Sequence, residues 1–402
     1  MKKINSTLLL FGAGASIPFF SPQVTTYSIT EYIKDKNNWD RIISIYKQNS
    51  SKIFLNAEYI YNLIHIISNN QFGSNFEKIC NTIDNIAFAK MSQDWNNPFK
   101  NELEYLTKCG IITFNNKIIP DIKYLPFLYR CLIIDFIYQA KKCDKYFELK
   151  EKQLNFIKQI ESSTYENISL VSLNYDDILR DTIGRQYYNG FDKTTYTTHT
   201  TFNHEKFFKQ EKTISYLHGN IRFGYLIETF ELSNIPTISE RIEDLLKHEY
   251  KINYNPYSDK KGTTFNTFIT TGLSKDIALN SIPYNHYYNK FTRDIFQSNL
   301  LIIIGYSFND EHINRLLSSF LCINDYNKVL IIDYWNGNKS QLRLGDNLFS
   351  KIGKVFNIIE EYNIKMEHGD FGMIYPRIYF YKNGYECFLN GFNIVIDYVQ
   401  KL

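Results

Sequence analysis

Five short stretches carry residue types able to do chemistry, and each follows an apolar run. The first is FGAGAS (residues 11–16), which sets Gly12, Ala13, Gly14, Ala15 and Ser16 directly after the apolar residues 7–11. Glycines there let a backbone approach a phosphate, and a following helix offers N–H donors and the positive end of its dipole. The same letters also suit a tight strand-to-helix turn. The dinucleotide fingerprint G-x-G-x-x-G is not met, because position 17 is Ile, and no Lys-Ser/Thr pair makes a P-loop. The second is SLNYDD (residues 172–177). The Asn174 amide suits a water or a ribose hydroxyl, and Asp176 suits a ribose or a carboxamide; an Asx turn ending a strand is the other reading. The third is YLHGN (residues 216–220). Of the eight histidines, His218 alone directly follows a strong apolar strand pattern and precedes Gly. It suits a general base near neutral pH, or a hydrogen-bonded structural role. The fourth is IIIGYSFND (residues 302–310), where Gly305, Tyr306 and Ser307 suit a ribose or phosphate and Asp310 reads as a helix N-cap. The fifth is VLIID, whose Asp333 suits ribose hydroxyls or a turn.

The elements that must position these residues are readable from patterning. Residues 7–11, 168–173, 213–217, 300–304 and 329–332 read as buried strands, with 265–269 as a further one. A helix is predicted over 311–320. Strands alternating with helices predict a doubly wound parallel sheet, in which ligands bind at the carboxyl edge. Helical spacing is found over 57–67, 76–89 and 127–138, and over 28–46 with an interruption at 36–38. The stretch from about 55 to 165 is therefore a helical insertion. In the tail, residues 377–388 read as a hairpin turning at Asn383-Gly384, and 393–402 as a closing helix or strand.

Composition narrows the class. The 402 residues are 44% hydrophobic and 16% aromatic, ample for a large core. A net charge of +3, from 45 basic and 42 acidic residues, gives no electrostatic footprint for nucleic acid. The six cysteines form no C-x-x-C pair, which argues against a structural zinc site. No apolar run approaches the ~18–20 residues of a membrane span. The opening MKKINSTLLLFGAGAS resembles a signal peptide, but its apolar core is shorter than the ~7–15 residues such a signal uses. A cytoplasmic protein is expected.

Taken in order, GAGAS, NYD, LHG, GYS-x-x-D and a late strand with a polar tip resemble the sirtuin-like NAD-hydrolase family, in its bacterial anti-phage branch. The segment NFEKICNTID (residues 75–84) resembles the same branch. The resemblance implies a Rossmann-like catalytic domain over 1–335 with the helical insertion at about 55–165, and a small hairpin-containing extension over 336–402 for oligomer or partner contacts. It implies NAD as substrate and no metal. Gly12, Ala13, Gly14, Ala15 and Ser16 would contact phosphates, Asn174 would place a water or ribose hydroxyl, Asp176 would hold the nicotinamide end, and His218 would be the general base. Gly305, Tyr306 and Ser307 would line phosphate and ribose, and Asp333 the ribose hydroxyls. The expected activity is cleavage of NAD to nicotinamide and ADP-ribose, as the effector of anti-phage abortive infection. The expected partners are further copies of the chain and a HerA-type ATPase. Two departures from deacylating sirtuins stand out. The four zinc cysteines are missing, and Ile17-Pro18-Phe19-Phe20 stands where those enzymes carry G-I-P-D-F-R. Both point away from an acyl-lysine substrate. A non-catalytic NAD or ADP-ribose sensor or scaffold, and an NAD-dependent deacylase or ADP-ribosyltransferase, are the alternatives.

Overall fold

The run LLIII is buried at every position, and so are Leu8, Leu9 and Leu10. Strands buried on both faces belong to a parallel sheet covered by helices on each side. The computed structural model describes residues 4–49, 57–69, 75–92, 125–141, 143–192, 202–221, 223–225, 232–234, 282–335, 347–358 and 365–401. Its strands are β1 (Ile4–Phe11), β2 (Thr164–Ser172), β3 (Lys212–Tyr216), β4 (Phe223–Tyr225), β5 (Leu232–Asn234), β6 (Leu300–Ile304), β7 (Lys328–Ile332), β8 (Lys365–His368), β9 (Phe371–Tyr375) and β10 (Ile378–Tyr381). Eight of them form one sheet in the order β3-β2-β1-β6-β7-β10-β9-β8, while β4 and β5 pair separately. The first six of that order are parallel, and β9 and β8 add an antiparallel edge. In chain order the parallel part reads 3-2-1-4-5-6, the doubly wound arrangement with its switch point between β1 and β6. The expected Rossmann-like architecture is present.

Register sets the strand tips level. Phe11 pairs with Ser172 and Ile304, Ser172 with Tyr216, and Ile304 with Ile332. The residues that follow each strand therefore stand in a row along one edge.

Between β1 and β2 lie α1 (Ala13–Ser16), α2 (Thr26–Lys34), α3 (Lys36–Asn49), α4 (Ala57–Ser68), α5 (Phe76–Ser92), α6 (Leu125–Ala140) and α7 (Tyr146–Ser163). The break expected at 36–38 falls at Asp35, whose extended backbone separates α2 from α3. The Thr25 and Ser28 side chains form a reciprocal capping box that starts α2. After β2 come α8 (Ile178–Ile183) and α9 (His204–Lys209), and before β6 comes α10 (Tyr284–Gln297). The helix expected over 311–320 is α11 (Glu311–Ser318), followed by the short α12 (Phe320–Ile323). The tail adds α13 (Asn347–Val355) and α14 (Gly384–Lys401), the latter kinked at Gly391. Residues 265–269, read as a strand, lie outside the described residues.

The tail corrects one expectation. Asn383-Gly384 is no hairpin turn; it leads into α14. The hairpin lies one strand earlier, between β9 and β10, where Ile378 pairs with Tyr375 and Arg377 takes a positive φ of 73°. The Asn-Gly signal is local, whereas the aromatic face of α14 docks on α7. Phe156 meets Phe388, Phe392 and Tyr385 edge-on, at ring separations of 5.3, 5.4 and 6.4 Å. Burial of that apolar stripe outweighs the turn preference.

Candidate active site

The tips of β1 and β6 are laced together through backbone. Gly12 N–H donates to the Ile304 carbonyl and Gly14 N–H to the Gly305 carbonyl, both at 2.8 Å. A Cβ on Gly12 would lie 2.6 Å from the Gly305 oxygen, and one on Gly305, at φ +59°, would lie 2.3 Å from the Ala15 nitrogen. These glycines therefore let two chain segments approach each other, a demand independent of any phosphate. Gly12, Ala13 and Ser16 line a cavity of about 750 Å³ at the switch point. That size suits a small-molecule ligand. Gly14, Ala15 and Gly305 are not among the lining residues.

Asn174 ties the second strand to this loop. Its Nδ2 donates to the Gly12 carbonyl at 2.9 Å and to Ser16 Oγ at 2.7 Å. Ser16 in turn hydrogen-bonds the Asp176 carboxyl. Asp176 is buried, and burial pushes its carboxyl up from an ordinary 3.8 to about 6, against the bonds from Ser16 and the Ile178 N–H. Asp177, fully buried beside it, pairs with Lys141, which also bonds Asp181 at 2.9 Å. Burial would discharge Lys141, but the two aspartates outweigh it and hold the ammonium charged.

His218 stands at the tip of β3 with both ring nitrogens engaged. Nδ1 lies 3.0 Å from the Leu173 carbonyl and Nε2 lies 3.0 Å from Asp310 Oδ2. A carbonyl only accepts, so Nδ1 carries a proton. Asp310 Oδ2 is placed to accept from Nε2 when that nitrogen carries a proton. Asp310 is the N-cap of α11, as expected, with Oδ1 accepting from His312 N–H at 3.1 Å and Ile313 N–H at 3.4 Å. One side chain thus starts a helix and faces the candidate base. The Tyr306 hydroxyl braces this turn, 2.9 Å from Asn314 Oδ1 and 3.1 Å from the Asp310 carbonyl. Phe308 sits in the turn at φ 56°, and its carbonyl accepts from Asn314 Nδ2 at 2.9 Å. Ser307 is exposed at the mouth and accepts from Asn309 Nδ2 at 3.1 Å.

The cavity thus gathers Gly12, Ala13, Ser16, Asn174, Asp176, His218, Tyr306 and Ser307 of the predicted set. Asp333 is not in its lining. It ends β7, four strands along the edge from β3, roughly 19 Å at the usual strand spacing. Burial raises its carboxyl to about 6, and the Tyr334 N–H donates to it at 2.7 Å. Sequence reasoning missed part of the wall. The helices between β1 and β2 contribute Thr25 and Thr26 at the start of α2, and Phe76 and Glu77 at the start of α5. For α5 the signal was the segment 75–84 itself. Among the described residues no group of three or more His, Cys, Asp or Glu is placed to hold a metal ion, and no helix is long and apolar enough to cross a membrane.

A 3-2-1-4-5-6 parallel sheet with a glycine loop at its switch point defines the Rossmann-like class of nucleotide-binding folds. Within that class, residues 168–364 match the family model described as the SIR2-like domain. The match begins inside β2 and does not cover β1 or its glycine loop. Among solved structures, the chain is similar to Sir2Tm bound to a propionylated peptide, at 13% identity and a TM-score of 0.34, over 89% of this chain and 93% of that one. It is similar also to a Sir2 homologue in complex with NAD, at 12% identity and a TM-score of 0.34, over 89% and 91%. No curated protein sequence matches the chain.

Proposed function

We propose that the chain hydrolyses NAD to nicotinamide and ADP-ribose. The observation that carries this reading is the convergence of Ser16, Asn174, Asp176 and His218 on one cavity at the switch point. A ligand lying along the level strand tips would place its diphosphate against Gly12, Ala13 and Ser16 and its nicotinamide end near β2 and β3, where Asp176 takes it. Ser307 and Tyr306 then meet the far ribose, and Asp333 enters only where the ligand extends past Ser307.

The reaction breaks the C1′–N bond, and its electron pair leaves with nicotinamide. Positive charge builds on the ribose. A water oxygen forms the new C1′–O bond and gives up one proton. His218 Nε2 takes that proton once the proton it shares has moved to Asp310. Catalysis then rests on fixing the leaving group and aiming one water, with Asn174 placing that water or a ribose hydroxyl.

The same motif order supports a finer reading. The hydrolase is the cytoplasmic effector of an anti-phage abortive-infection system, restrained until self-assembly and a HerA-type ATPase release it. One observation favours a second reading, a non-catalytic NAD or ADP-ribose sensor: Asp310 engages the very nitrogen a general base needs. Purified protein, Asn174→Ala and His218→Ala are to be compared for NAD cleavage. Loss in both substitutions is expected; full cleavage by both contradicts the assignment.

A further inference from the structure

Glu77 reaches the cavity from the helical segment rather than from the sheet edge. It is half-buried in the first turn of α5. That helix start is capped by other groups. Thr30 Oγ1 accepts from Phe76 N–H at 2.9 Å, and Asn75 Oδ1 accepts from Lys78 N–H at 3.0 Å. The Glu77 carboxylate instead accepts the Tyr175 hydroxyl at 2.9 Å. Tyr175 lies between Asn174 and Asp176, and its ring centroid is 6.3 Å from that of His218 and 6.2 Å from that of Phe76. Glu77 is therefore fixed to the loop that carries the amide and to the ring beside the candidate base. Three other carboxyls line the cavity, and of these Glu311 is exposed and pairs with Arg315 at 3.7 Å. Asp176 Oδ1 accepts the Ile178 N–H, and Asp310 caps α11 while facing His218.

We propose that Glu77 is a further catalytic residue of NAD cleavage, taking the hydroxyls of the ribose that loses nicotinamide and stabilising the positive charge that develops at C1′. This inference rests on the hydrolase reading. Glu77 exchanges no proton in the step. The C1′–N bond breaks with its electron pair leaving on nicotinamide, and the proton of the attacking water goes to His218. A fixed negative charge near a developing cation acts on the transition state more than on bound substrate.

The test compares wild type, Glu77→Gln, Glu77→Asp and Tyr175→Phe for nicotinamide release and for binding of a non-hydrolysable NAD analogue. Glu77→Gln is expected to lower kcat by ~100-fold or more, with KM within about threefold. Glu77→Asp keeps the charge and is expected to retain more activity than Glu77→Gln. Tyr175→Phe removes only one orienting hydrogen bond and is expected to cost less than about tenfold. Wild-type kcat in Glu77→Gln, or equal losses in Glu77→Gln and Glu77→Asp, overturns the role of Glu77 while the hydrolase reading stands. A wild type that binds the analogue and releases no nicotinamide overturns that reading, and this inference with it.

Discussion

Asp310 does two jobs with one carboxylate, and substitution can separate them. Asn is as good an N-cap as Asp, whereas Ala is a poor one. Asp310→Ala is therefore expected to be less stable than Asp310→Asn by about 1 kcal/mol in urea unfolding. Neither variant can accept the proton that His218 Nε2 must hand over, so both should lose NAD cleavage to a similar degree. Equal stability of the two would remove the capping role; wild-type activity in Asp310→Asn would remove the role toward His218. The cap was legible because it is local: an Asp directly before a helical pattern. Its second partner was not, because His218 lies 92 residues away. Glu77 was hidden for the same reason, since the strand-exit tyrosine it bonds is 98 residues distant. By contrast, Asn174, His218 and Ser307 stand right after apolar runs, and strand order alone brings such tips to one edge.

At the scale of elements, the site depends on how closely β1 and β6 can end side by side. Gly305→Ala would set a methyl group against the backbone of Gly14 and Ala15 at a positive φ. It is expected to destabilise the protein by at least ~2 kcal/mol, read as a lower urea midpoint at unchanged slope. An unchanged midpoint would mean that the two tips separate freely. Beneath the β2 exit, Lys141 joins the end of α6 to the start of α8 through Asp177 and Asp181. Asp177 is fully buried, so Lys141→Met would leave a buried charge without its ammonium. A loss of about 3–5 kcal/mol is expected; a loss under ~1 kcal/mol would mean that Asp177 is solvated or protonated. The parallel strands were readable because buried strands give continuous apolar runs. The tail was misread because an Asn-Gly pair outranks helical spacing locally, while the docking of α14 on α7 is a long-range fact.

For the whole molecule, one buried carboxyl and one half-buried carboxyl shape stability against pH. Burial raises both Asp176 and Asp333 from an ordinary 3.8 to about 6. The folded chain then holds their protons more tightly than the unfolded chain does. Their contribution to stability is full below about pH 3.8 and is lost as pH rises through about 6. Asp176→Asn, which carries no ionisable proton there, should therefore gain on the wild type as pH rises from 4 to 7, by on the order of 2–3 kcal/mol. A difference that stays flat over that range would show that Asp176 is not held up by burial. A site residue that costs stability at neutral pH is what a binding or catalytic function would retain.

The central claim is that this cavity cleaves NAD. The measurement that tests it most directly is nicotinamide release from NAD by the purified chain, alone and with a HerA-type ATPase partner. Release that vanishes in His218→Ala is the predicted result. Bound NAD or ADP-ribose with no nicotinamide released under either condition would contradict it and leave a sensor.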